Sequence, residues 1–170
     1  MDIFWLFIRW IHVIAAVVWI GGNLILAMVI VPHFRQNLPP VQRIQILTLI
    51  GKRFEPIVWL CVLILLFTGI VNIFNSVDLS ATNDSLIVGT FWRTLGIKLL
   101  LFITLVILTG LHSIFYGPKL SKAIEDLDPE TEELPANVNS IRKQMAIVSS
   151  AMGVVSLLII LTAVALRIGI

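Results

Sequence analysis

Four apolar stretches constrain this chain more than any other feature. They run from roughly Ile3 to Val31, Pro56 to Phe74, Phe91 to Tyr116 and Lys143 to Ile168. A membrane-spanning helix needs about 20 mostly apolar residues. Pro32 is expected to end the first stretch, and Gly117–Pro118 the third. A soluble domain is about 25% charged, whereas this chain is 13% charged and 58% hydrophobic. The expected fold is all-α: one integral membrane four-helix bundle over residues 1–170. The start "MDIFWLFIRW" lacks the basic opening of a signal peptide, and its apolar run is too long for one, so it is expected to remain as a span.

The connecting segments predict an orientation. The first holds Arg35, Arg43, Lys52 and Arg53, and the third holds Lys119, Lys122, Arg142 and Lys143. The second, "NSVDLSATNDSLIVGT", has neither Lys nor Arg. Basic residues concentrate on the cytoplasmic side, and the acids of the third segment weigh little in that rule. Both termini are therefore expected on the outer side, in a bacterial or archaeal cytoplasmic membrane. "PPVQRIQILTLIGK" alternates at helical spacing after a proline start, as an interfacial helix would. "EDLDPETEELP" reads as an acidic, solvated segment.

Several functions are excluded by what the residues lack. One cysteine, Cys61, rules out an internal disulfide framework and CxxC metal motifs. A net charge of +2 does not argue for nucleic acid. No Ser-His-Asp set, paired carboxylate or phosphate loop is visible. The spans hold almost no acids, Glu55 sitting only at the inner start of the second, which argues against proton coupling built on acids.

The polar residues fall in stripes, one per span. These are Trp5, Arg9, His12, Ala16, Trp19 and Asn23; then Cys61, Thr68, Asn72 and Asn75. Thr94, Lys98, Thr109, His112 and Tyr116 form the third, and Met145, Ser149, Met152, Ser156 and Arg167 the fourth. Helical spacing places each set on one face. An ionisable group in the bilayer centre costs at least about 2.5 kcal/mol, so the stripes should face one another. The 1.5 Å rise per residue separates His12 from His112 by about 20 Å in depth, too far to share one metal. An outer cluster of Arg9, His12, Arg93, Lys98 and Arg167 is expected, and an inner one of His33, Arg53, His112 and Lys119.

Imidazole is a common axial ligand of haem iron, and haem propionates need cations at the membrane interface. The outer cluster offers both, with Trp5 and Trp19 near enough to pack on a porphyrin. Copper competes for the same donors, because thiolate, thioether and imidazole suit Cu(I). Met28, His33, Cys61, His112 and Met145 all fall in the inner half, without a tight motif.

Three segments carry a family likeness. "WIHVIAAVVWIGGNLILAMVIVP", "KRFEPIVWLCVLILLFTGIVN" and "IKLLLFITLVILTGLHSIFYGPKL" together resemble the copper resistance D (CopD) family. The arrangement is also similar to that of HemJ-type haem-containing membrane proteins. The resemblance implies a four-helix membrane core that handles copper or binds haem. By position it makes His12 and His112 the candidate ligands, with Lys98 and Arg53 as the conspicuous cations.

The reading that results is a b-type haem protein in electron transfer or haem-linked redox chemistry. His12 and His112 would be axial ligands at separate sites, His33 a further metal candidate, and Arg9, Arg93 and Lys98 partners for propionates. Trp19 and Arg53 complete the cofactor set. A quinol or a redox protein is the expected electron partner, and a homodimer could supply a second histidine per iron. The alternatives are a copper-handling permease and a non-catalytic scaffold subunit.

Overall fold

In the computed structural model, residues 3–76, 85–131 and 133–168 are described, with side chains over 3–74, 89–131 and 133–165. The second connecting segment falls largely outside them, as do the side chains of Asn75 and Arg167. Six α-helices account for most of the described chain: α1 (Ile3–Ile25), α2 (Val31–Asn37), α3 (Pro40–Ser76), α4 (Ser85–Gly110), α5 (Gly117–Ala123) and α6 (Ala136–Ile168). Four helical runs are long and apolar enough to cross a membrane: Ile3–Asn37, Pro40–Phe74, Gly89–Ala123 and Ala136–Ala165. This is an all-α four-helix bundle and an integral membrane protein. Exposed apolar side chains such as Val17, Leu63, Phe67, Leu100 and Leu161 suit contact with lipid rather than water.

The helices outrun their apolar cores, and neither Pro32 nor Pro118 ends one. A proline inside an α-helix lacks an N–H, and its ring clashes with the carbonyl four residues back. Here a wider turn comes first. A π-helical turn, Leu26–Ile30, joins α1 to α2, and a second, Leu111–Tyr116, joins α4 to α5. The Val31 N–H donates to the Leu26 carbonyl and the Gly117 N–H to the His112 carbonyl, each five residues back. Each proline then occupies the first turn of the next α-helix, where no donor is needed.

The expected interfacial helix is not separate. Residues 40–55 are continuous with the second span in α3, which runs through Pro56.

Packing is in pairs. α1 lies mainly on α3, and α4 mainly on α6, with a lighter contact between α1 and α6. Side chains from all four spans then fill one core: Ala15 and Trp19, Val58, Cys61, Val62 and Leu65, Leu105, and Met152. Trp19 and Leu105 are each 1% exposed. The Trp19 ring meets Phe102 edge-on at 6.3 Å, tying α1 to α4. A second cluster of Ile44, Leu120, Ile124 and Val138 closes the end of the bundle near α5. There Lys52 Nζ donates to Ser121 Oγ at 3.0 Å.

Gly22 permits the α1–α3 approach. A Cβ at this position would enter the Phe54 ring.

Candidate functional site: two tethered imidazoles

His12 projects from α1 onto α3. Its Nδ1 lies 2.7 Å from Thr68 Oγ1. The Thr68 hydroxyl donates to the Ile64 carbonyl at 2.6 Å, a one-turn-back bond typical of buried helical threonine. That bond uses the hydroxyl hydrogen, so His12 Nδ1–H is the donor to Thr68. A neutral imidazole carries one N–H, and Nε2 therefore keeps the lone pair. Gly69 lies against the ring: a Cβ there would make an ordinary contact, 3.7 Å from His12 Cε1. Lys98, half-buried on α4, is close enough for its charge to act on His12.

His112 repeats the arrangement between other helices. It lies within the π-helical turn that follows α4. Its Nδ1 is 3.2 Å from Ser149 Oγ on α6. The Ser149 hydroxyl donates to the Met145 carbonyl at 2.9 Å, so His112 Nδ1–H donates to Ser149 and again leaves Nε2 bare. Glu55, near the middle of α3, is within electrostatic reach of this ring.

A histidine that binds a metal through one nitrogen commonly has the other tied by a hydrogen bond, which fixes tautomer and orientation. Both histidines have that tie. They belong to different levels: Lys98, near His12, and His112 are about 21 Å apart along one helical run. Among the described residues, no three His, Cys, Asp or Glu side chains converge as a metal cage.

The remaining expected site residues have local surroundings of their own. Arg9, Arg93 and Arg53 are exposed. His33 is exposed too, and its local partner is Asn37, whose Nδ2 donates to the His33 carbonyl at 2.8 Å. Lys119 Nζ lies 3.7 Å above the centre of the Phe115 ring. Trp5 packs edge-on against Phe4. Trp19 sits in the central core, and its indole N–H is buried without an acceptor among the described residues.

Sequence reasoning placed Thr68 and Ser149 on the inward stripes but gave them no role. Their signal was a hydroxyl on a facing stripe at the depth of each histidine. Glu55 and Gly69 were not tied to a site. Neither forms a motif with its partner in the linear chain.

The comparisons bear on what such imidazoles serve. The family described as Copper resistance protein D matches residues 48–166. The match takes in Cys61, Lys98, His112, Ser149 and Met152, while His12 and Trp19 precede it. An uncharacterised protein of Aquifex aeolicus (strain VF5) is 33% identical over 109 residues, which is 64% of this chain and 67% of that protein. No solved structure matches.

Proposed function

The chain belongs to the copper resistance protein D family, and from that premise we propose that it is a copper-handling membrane permease. His12 and His112 are its two imidazole stations, one in each half of the bundle. The observation that carries this reading is the repeated tether. In both places an Nδ1–H is held by a hydroxyl that is itself held by a helix carbonyl, so Nε2 keeps the lone pair that an ion would use. A fixed lone pair loses little orientational freedom on meeting an ion. Single imidazoles also bind weakly enough to release, which transport demands.

The test is copper movement into proteoliposomes holding the full chain. His12→Ala and His112→Ala should each slow uptake while the bundle still inserts. Uptake at the wild-type rate in both variants overturns the proposal.

A haem reading is favoured by one observation, the Lys98 ammonium beside His12. A cation there suits an anionic propionate better than a metal ion. A visible spectrum of the purified protein separates the two: a Soret band lost in His12→Ala supports haem. Lys98→Gln separates them again. It should strengthen copper binding at His12 if the cargo is a cation, and loosen the group held there if that group is anionic.

A further inference from the structure

We propose that Arg35, Arg43 and Arg142 form a site for a phosphate oxyanion, such as an anionic phospholipid headgroup presents, at the end of the bundle where α2 gives way to α3. The site is independent of the metal reading.

The three arginines come from three helices, α2, α3 and α6. Only Leu38 and Pro39 separate α2 from α3, and the Leu38 N–H donates to the Phe34 carbonyl at 3.1 Å. Arg35 and Arg43 therefore flank one short connection. Ile44, next to Arg43, shares a buried cluster with Val138, and Ile141, next to Arg142, packs on that cluster. Arg35 and Arg142 are both close enough for their charges to act on Arg43. Arg43 and Arg142 are half-buried, and Arg35 is exposed.

Like charges gathered in this way repel. A bias of basic residues toward one side of the membrane explains why they lie at this end. Arginines spread around the rim would satisfy that bias equally well. The charges acting on Arg43 are those of the two other arginines. Arg142 has a neutral partner: its Nη2 donates to Asn139 Oδ1 at 2.9 Å, and its Nε–H is buried with no acceptor among the described residues. Asp128 and Glu130 line a hollow with Pro39 and Gln42, and Gln42 is turned about 100° from Arg43 around the helix. The starts of α3 and α6 carry partial positive charge of their own, with no acid in either first turn. A counter-anion is what the group lacks.

Guanidinium presents a planar fork of donors that matches the oxygens of phosphate. Depth favours a lipid as its source. Arg9 and Arg35 are about 39 Å apart along the first helical run. A bilayer with its headgroups is about 40–45 Å thick. With Arg9 at one surface, Arg35 lies at the other, at the level of the phosphates. Basic pockets between spanning helices are a recurring means of holding anionic headgroups.

The experiment places the full chain in phosphatidylcholine bilayers with a trace of spin-labelled phosphatidylglycerol. The motionally restricted fraction is compared with that of spin-labelled phosphatidylcholine. The wild type should prefer phosphatidylglycerol. Arg43→Gln and Arg142→Gln should each weaken that preference by about fivefold or more. Lys122→Gln removes the same charge from an exposed position on α5 and should leave the preference largely unchanged. Arg142→Lys should restore only part of it, because the charge returns without the fork. A second arm offers inorganic phosphate to the chain in detergent. Binding there that is lost in Arg142→Gln, with no lipid preference in bilayers, supports the same oxyanion site with free phosphate as its source. Equal losses in Lys122→Gln and the arginine variants overturn the site in favour of general surface charge. A wild type that takes neither probe overturns it as well. If Arg43→Gln or Arg142→Gln fails to fold, Arg35→Gln on the exposed face of α2 decides, and binding unchanged in that variant overturns the site.

Discussion

Thr68→Val is the sharpest perturbation of the His12 tether. Valine nearly matches threonine in shape, so the 3% exposed site keeps its packing. What disappears is the oxygen 2.7 Å from His12 Nδ1. Two magnitudes then compete. A buried donor stripped of its acceptor costs about 1–3 kcal/mol in a soluble protein. Interhelical hydrogen bonds inside membranes average only about 0.6 kcal/mol, with a maximum near 1.7, because the separated helices find other partners. The membrane figure governs here, since Thr68 and His12 belong to different spanning helices. Thermal unfolding in detergent should therefore show a loss of about 0.5–1.5 kcal/mol, with the bundle still assembled. Copper affinity should fall further, by about 10–100-fold, because the imidazole loses both its fixed tautomer and its fixed plane. Thr68→Ser should restore most of that affinity while removing a methyl group. The assay is chelator competition on both variants beside His12→Ala. Thr68→Val with wild-type copper affinity would refute the argument that the hydroxyl presents Nε2. So would Thr68→Ser failing to rescue a Thr68→Val defect.

Other consequences can be checked directly. Ser149→Ala should weaken the His112 station alone, seen as reduced copper retention that adds to the effect of Thr68→Val, since the two sites share no partners. Gly22→Ala should cost about 1–3 kcal/mol by thermal unfolding, because its Cβ enters the Phe54 ring. Gly21→Ala, with nothing within 4 Å of the added carbon, should be neutral or gain up to about 1 kcal/mol. Leu105→Ala, in the centre of the core, should cost about 2–5 kcal/mol. Reporter fusions at Asn83 and Glu130 should report opposite sides, with Glu130 cytoplasmic, as the basic residues predict.

The four spans were legible because hydropathy over 20 residues is a property of sequence alone. The inward faces were legible for the same reason: Trp19, Cys61, Thr68, Thr109, Met152 and Ser156 lie on the predicted stripes and are buried. Helix ends were not. Pro32 and Pro118 read as stops, and the π-helical turns that carry the chain past them depend on the whole backbone path. The placement of the arginines was less legible. Arg9 and Arg93 fall near the expected outer ends of their spans, and their side chains are exposed, as a long flexible stem allows. Hydroxyl partners escaped assignment because Thr68 lies 56 residues from His12. Only packing makes them neighbours.

The paired packing of the helices has a consequence for biogenesis. α1 with α3, and α4 with α6, are two antiparallel hairpins, and the strongest contacts lie within each. A ribosome delivers the first hairpin complete before the second begins. Each can enter the bilayer as a unit and dock afterwards, the order expected when insertion precedes association. The seam between them runs through the central core, with Trp19 and Cys61 contributed by the early hairpin and Leu105 and Met152 by the late one. Two separately translated halves, cut within the second connecting segment, should therefore find each other in the membrane.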